Sequence, residues 1–254
     1  MKRCITLILL LFPTLAWAAT TPPAGDVYTA RAYVTGTRAE TRQDGIIVAF
    51  RRVLVKVSGD PALASDPRVD ALEPQAAGMV EDLAYQDRMS DEPHHDEQGT
   101  RDRPFDLEVH FAPDRIAQAL ATLGEQPWTG PRPRILARIQ INDHGAVFPL
   151  TADTESDERQ REAIIAAADR FGLRVALAPA EGIGPSLPDH PVILSGTLAW
   201  DDQAYGWVGT WHLEGADTPR DWHIEGVSFD EAFRNAMAGA AAALSGHWEA
   251  AGPL

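Results

Sequence analysis

The side chains able to hold a metal or move a proton fall in a few places along this sequence. His94-His95-Asp96-Glu97 offers two imidazoles and two carboxylates in consecutive positions, donors suited to a divalent metal. The segment is a polar loop, however, and nothing in it fixes a coordination geometry, so a solvated surface is the expectation. His212 and His223 lie on strands expected to pair, where they would face each other beside Glu214 and Asp221; such a pair binds a metal, senses pH, or is simply surface. A third group is basic: Arg42, Arg51, Arg52 and Lys56 stand on one helix against an acidic background. Arg52 and Lys56 are the candidate interaction surface, with solvated helix charge as the ordinary account.

Catalytic signatures are missing from the sequence: no Gly-x-Ser-x-Gly elbow, no phosphate-binding glycine loop, no dinucleotide fingerprint and no His-Glu-x-x-His helix. Carboxylates abound, but a glycosidase pair is defined by separation in space, which a sequence does not give. The expectation is a protein with no catalytic residue, no cofactor and no resident metal.

Composition narrows the class further. A net charge of −15 argues against a nucleic-acid partner, and 44% hydrophobic residues over 254 positions suffice for a buried core. Met1-Lys2-Arg3, an apolar run over residues 5–15 and Ala16-Trp17-Ala18 read as an export signal cleaved after Ala18 or Ala19. Residues 1–19 are therefore expected to be removed and the product to reside in the periplasm. Cys4, the single cysteine, would leave with the signal, so the mature chain has neither disulfides nor thiolate ligands. No later segment approaches membrane-spanning length.

The elements that must position these residues are readable from periodicity. Residues 41–59 carry Ile46, Phe50, Val53, Leu54 and Val57 at helical spacing, with Arg42, Arg52 and Lys56 directed outward and Gly59 as the stop. Strands are expected at 27–35, 80–88 and 103–111, and a helix at 113–123 ending at Gly124. Short helices are expected from Pro67 and Pro74. The Pro/Gly-rich stretch 125–133 reads as a linker, which divides the chain into domains at 20–125 and 134–250. In the second, a strand at 135–141 precedes a helix at 157–171 with Ile164, Ile165 and Ala168 inward, and a strand follows at 173–177. The fold class is α/β (α+β): two small domains, each a mainly antiparallel sheet covered by helices.

The last third reads as a three-stranded meander, 191–200, 205–213 and 220–227. With Asp202-Gln203 as the first turn, Gly196 faces Gly209 and Leu194 faces Trp211; across the second pair Trp211 faces Ile224 and Gly209 faces Gly226. Three glycines then form a row on an aromatic face, and strand glycines mark close approach of a backbone or a ligand. Either the alanine-rich helix that Ser228-Phe229-Asp230-Glu231 begins lies in that groove, walled by Trp207 and Trp211, or Gly196, Trp207, Gly209, Trp211 and Gly226 line a site for a hydrophobic or sugar ligand.

Residues 52–59, Tyr85, Arg103-Pro104-Phe105 leading through Val109 and Phe111 to the helix at 116–120, and Trp128 with Arg132-Pro133 resemble an uncharacterised family of exported proteobacterial proteins, the domain of unknown function 2066 family. The second half is also similar in pattern to small α/β modules of envelope assembly proteins. The resemblance implies an envelope location and assigns no activity. The functional expectation is a non-enzymatic periplasmic protein that binds an envelope protein as an adaptor. The alternatives are a binding protein for a hydrophobic or sugar ligand, and a carboxylate-dependent cell-wall hydrolase.

Overall fold

The computed structural model describes residues 26–90, 103–181 and 191–248. Residues 1–19, read as an export signal, and the segment with His94 and His95, read as a polar loop, lie outside the described residues. Among the described residues, no helix is long and apolar enough to cross a membrane.

The first sheet joins β1 (Thr29–Thr35), β2 (Val80–Asp87) and β3 (Pro104–Phe111), antiparallel in the order β1-β3-β2. Alternation decides its faces: Ala30, Ala32 and Val34 of β1 are buried, while Arg31, Tyr33 and Thr35 are exposed. Helix α1 (Ala39–Ser58) lays Ile46, Phe50, Val53, Leu54 and Val57 on this sheet. It comes close because position 45 is glycine, where an added Cβ would meet Val34 at 2.6 Å and Leu107 at 2.8 Å. The helix ends at Gly59, whose φ of 76° only glycine adopts cheaply. Single 3₁₀ turns follow at Pro61–Ala64 and Pro67–Ala71, each opened by an aspartate cap, Asp60 and Asp66, ahead of a proline. Helix α2 (Pro113–Leu123) buries Ile116, Ala119, Leu120 and Leu123 and stops at Gly124.

One expectation for α1 fails. Lys56 is 5% exposed. The second half of the chain covers the side of α1 that a single apolar stripe would leave to water. There Lys56 Nζ donates to Thr29 O at 3.2 Å and to Asp169 Oδ2 at 3.1 Å. Arg52 is half-buried for the same reason.

The second sheet contains β4 (Arg134–Asp143), β5 (Ala146–Pro149), β6 (Arg174–Leu177), β7 (Val192–Asp201), β8 (Gly206–Glu214) and β9 (Arg220–Val227). Their order is β5-β4-β7-β8-β9, with β6 also beside β4. Parallel pairing is confined to β4 with β6 and β7, and the remaining pairs are antiparallel. The α/β class of helix-covered sheets therefore holds, with β5 as an additional short strand. Helices α3 (Glu158–Arg170) and α4 (Phe229–Ser245) pack against each other, α4 lying on β7, β8 and β9. Ile164 and Ala168 point inward, but Ile165 is 52% exposed, and Ala167 takes the inward position beside them. Buried side chains of both halves form one contiguous cluster.

The meander differs from expectation in register. Asp201, not Asp202, closes the first turn: its Oδ1 accepts from the backbone N–H of Gln203 at 2.7 Å and of Ala204 at 2.8 Å. Four residues with Tyr205 at φ 53° then make the loop, and Asp201 pairs with Gly206. The slip is by two, so faces are kept and partners change. Gly196 faces Trp211, Leu198 faces Gly209 and Trp200 faces Trp207. Across the second pair Trp211 faces Trp222 and Gly209 faces Ile224, while an irregularity precedes the Trp207–Val227 pair. The row of three glycines is not formed.

What covers the glycines is the chain itself. An added Cβ at Gly196 would meet the Trp211 ring at 2.4 Å, and one at Gly209 would meet it at 2.6 Å, so one indole lies across both. Trp211 is 2% exposed beneath α4. Its Nε1 donates to Asn235 Oδ1 at 3.1 Å, and Trp222 Nε1 donates to Asn235 O at 3.3 Å. The alanine-rich helix thus occupies the face where a ligand groove was the alternative. Asn235 is buried, and replacing it with leucine strands the Trp211 N–H. Asn235→Leu is expected to cost about 1–3 kcal/mol, read as a melting temperature lower by several degrees in thermal unfolding; an unchanged value would contradict the assignment.

Candidate functional site

The end of α1 is where the two halves meet. Trp128 N donates to Val57 O at 2.8 Å, and Arg132, 4.1 Å from the Trp128 ring centroid, donates to Lys56 O at 2.7 Å. These contacts cap the free carbonyls of the helix with a cation. They also set α1 and β1 beside α3 and the start of α4, leaving a cleft of about 280 Å³ between them.

The cleft concentrates positive charge in an acidic protein. Arg31 from β1, Arg52 and Lys56 from α1, Arg170 from α3 and Arg234 from α4 line it, against the carboxylates of Asp169 and Asp230. Some of these cations are already paired: Arg31 with Glu108 at 2.7 Å, Lys56 with Asp169 at 3.1 Å, and Arg234 with Glu231. Among the described residues the Arg52 side chain donates to a carbonyl, Arg31 O, and to no carboxylate. The Arg170 side chain has no hydrogen bond or ion pair among the described residues. The contrast with Arg51 is instructive, since the neighbouring residue on α1 is neutralised by Glu73 and Asp70.

The electrostatics agree with the geometry. Burial holds the Arg52 guanidinium below the ordinary arginine pKa, with Asp169 opposing. Burial does the same to Arg170, repulsion from Arg52 and then Arg234 adds to it, and attraction to Glu231 opposes it. Both remain charged, because arginine titrates too high to lose its proton here. Clustered, partly desolvated cations of this kind are stabilised by an anion with two or more oxygens. Arg52 and Arg170 also line a second cavity of about 140 Å³, with Arg51, Val48, Val55, Ala64 and Phe171. The two arginines are therefore shared by both chambers, the second of which adds apolar side chains to its cations.

The other sequence candidates are placed apart. Arg42 is not among the cleft residues. His212 and His223 do not face each other: the corrected register sets His212 against Asp221 and His223 against Thr210. His212 Nδ1 lies 2.7 Å from Asp221 and Nε2 lies 3.3 Å from Glu214. The Asp221 hydrogen bond raises the His212 pKa above its usual value, burial opposing, which describes a surface ion pair. Gly226 sits at φ 73° beside the Ala204 carbonyl, and Trp207 packs edge-on to Trp200. Of the residues singled out from sequence, Arg52 and Lys56 are brought together in a cleft. Arg170 and Arg234 had no local signal, since each reads as an ordinary charge on its own helix.

Residues 23–129 match the family described as Domain of unknown function (DUF8605). This corrects the resemblance drawn to the domain of unknown function 2066 family, which is a different one. Most residues that carried the earlier likeness fall within this segment and are core, cap or strand positions, which unrelated α/β sheets share. No curated protein matches the chain. A solved structure described as that of an uncharacterized protein aligns with 45% of this chain and 92% of its own at 14% identity, with a TM-score of 0.22 that carries no argument. By sequence, then, the first sheet with α1 and α2 is similar to Domain of unknown function (DUF8605).

Proposed function

We propose that the protein is an exported, non-catalytic binding protein of the cell envelope, an adaptor that grips an anionic group of a partner protein in the cleft between its two sheets. The observation that carries this reading is Arg170, half-buried beside Arg52 and Arg234 and without an acceptor among the described residues. Holding like charges together costs stability, and a protein tolerates such a cost at sites where a ligand offsets it. The reading of residues 1–19 as an export signal supports the location. The neighbouring cavity with Val48, Val55 and Phe171 suits an apolar side chain next to the partner's carboxylate, and it also favours a second reading in which the occupant is a small anionic amphiphile.

The test is photo-crosslinking in living cells from position 166, an exposed alanine of the cleft wall, followed by mass spectrometry of the adducts. A reproducible envelope protein, lost when Arg170→Glu is introduced, is the expected outcome. Adducts indifferent to that substitution would overturn the assignment of the cleft.

A further inference from the structure

A second site lies just beyond the C-terminal end of α1. Three of the four α-helices, α1, α2 and α4, end in a left-handed glycine, at Gly59, Gly124 and Gly246 with φ of 76°, 81° and 88°. In each case the next residue carries a metal-ligand side chain: Asp60, Glu125 and His247. The three helices come from distant parts of the chain, yet one ligand atom from each of these residues lies within 4.8 Å of the others. Helix C-termini carry partial negative charge, so their meeting point favours a cation.

The hydrogen bonds prepare the histidine. Ser245 Oγ donates its single hydrogen to Gly59 O at 2.9 Å, and His247 Nδ1 lies 2.9 Å from the same Oγ. With that hydrogen on Gly59 O, Nδ1 is the donor in the second contact and Nε2 is an acceptor facing Glu125 Oε2 at 3.4 Å. In that tautomer the two opposed acceptors are satisfied by a cation between them, as they otherwise are by a proton on Nε2. Holding the outer ring nitrogen by a hydrogen bond is also how proteins orient a metal-ligating histidine. Asp60 provides an observation of another kind. It is 5% exposed and makes no ion pair among the described residues. One oxygen caps Ala62 N at 2.9 Å, and the nearby Arg68, which donates to Leu123 O, attracts both Asp60 and Glu125 without closing an ion pair with either. A cavity of about 560 Å³, lined by Glu125, Gln126, Trp128, Asp217 and His247, reaches the site from solvent.

We infer that Asp60, Glu125 and His247 bind one divalent transition cation, zinc by preference, which clamps α4 to the ends of α1 and α2. One imidazole with two carboxylates suits zinc over calcium or magnesium, whose sites are built from oxygen alone. Zinc–ligand bonds of about 2.0–2.2 Å require the three groups to draw inward. Glu125 and His247 have the freedom for this, with side chains 22% and 23% exposed. The cation occupies neither the anion cleft nor any group used there, so the two sites stand or fall separately.

The test uses the untagged mature chain after chelator treatment, titrated with zinc chloride under calorimetry and thermal unfolding. One equivalent is expected to bind, and the melting temperature to rise by about 5–10 °C at a hundredfold excess over Kd. His247→Ala and Glu125→Gln, both at partly exposed positions, are expected to abolish that rise, and calcium to produce none. Cobalt in place of zinc should give visible absorption bands that His247→Ala removes. A wild-type chain without a zinc-dependent rise, or a rise that survives His247→Ala as binding at His94 and His95 would, overturns the inference.

Discussion

Arg170→Glu is expected to weaken capture of the cleft's anionic partner by about a hundredfold or more while leaving the fold intact. Like charges brought together at an interface cost several kcal/mol, and every 1.4 kcal/mol is tenfold in affinity. The sign of the stability effect is the sharper part of the expectation. The Arg170 side chain makes no hydrogen bond or ion pair among the described residues, and its repulsion from Arg52 and Arg234 outweighs its attraction to Glu231, so a carboxylate there relieves more repulsion than it adds, and the melting temperature should stay or rise slightly. Arg51→Glu should behave in the opposite way, because Arg51 is held by Glu73 and Asp70 and reversal opposes those two carboxylates. Comparing the two variants by thermal unfolding and by crosslinking yield separates a binding arginine from a structural one. A marked loss of stability in Arg170→Glu would place Arg170 in the second class.

The largest effect on stability should come from Trp211→Ala. Removing a fully buried tryptophan costs about 3–5 kcal/mol, and in a domain of this size that lowers the melting temperature by roughly 10 °C or more. The particular packing makes a further expectation. At Gly209 the nearest atoms that an added Cβ would meet all belong to the Trp211 ring, the first at 2.6 Å, so Gly209→Val alone is overpacked, whereas Gly209→Val placed in Trp211→Ala fills part of the void. The double variant should be more stable than the sum of its singles predicts, a coupling that a thermodynamic cycle measures. Strict additivity would mean that ring and glycine do not share one space.

Much of the fold was legible because it depends on local periodicity. The stripe from Ile46 to Val57, the alternation of Ala30, Ala32 and Val34, and the glycine stops at 59 and 124 each follow from neighbours a few residues apart. What escaped was set by distant contacts. The meander register turned on which aspartate closes the loop, Asp201 or Asp202, and two adjacent identical residues make that choice invisible in sequence. Lys56 reads as an outward charge until a second set of helices covers it. The cleft needed Arg52 and Arg170, 118 positions apart in number, to meet across two sheets. The Gly-Asp, Gly-Glu and Gly-His steps after three helices were visible as text, but nothing in the text says that three helix ends converge.

The account rests on the cleft as an anion-binding element, and the most direct measurement is nuclear magnetic resonance of the arginine side-chain Nε–H groups during titration with inorganic phosphate at constant ionic strength. Saturable shifts of Arg52 and Arg170, with Arg51 unmoved and the response lost in Arg170→Glu, are predicted. Small, linear shifts shared by all arginines would contradict it, leaving the clustered charges without the ligand that justifies them.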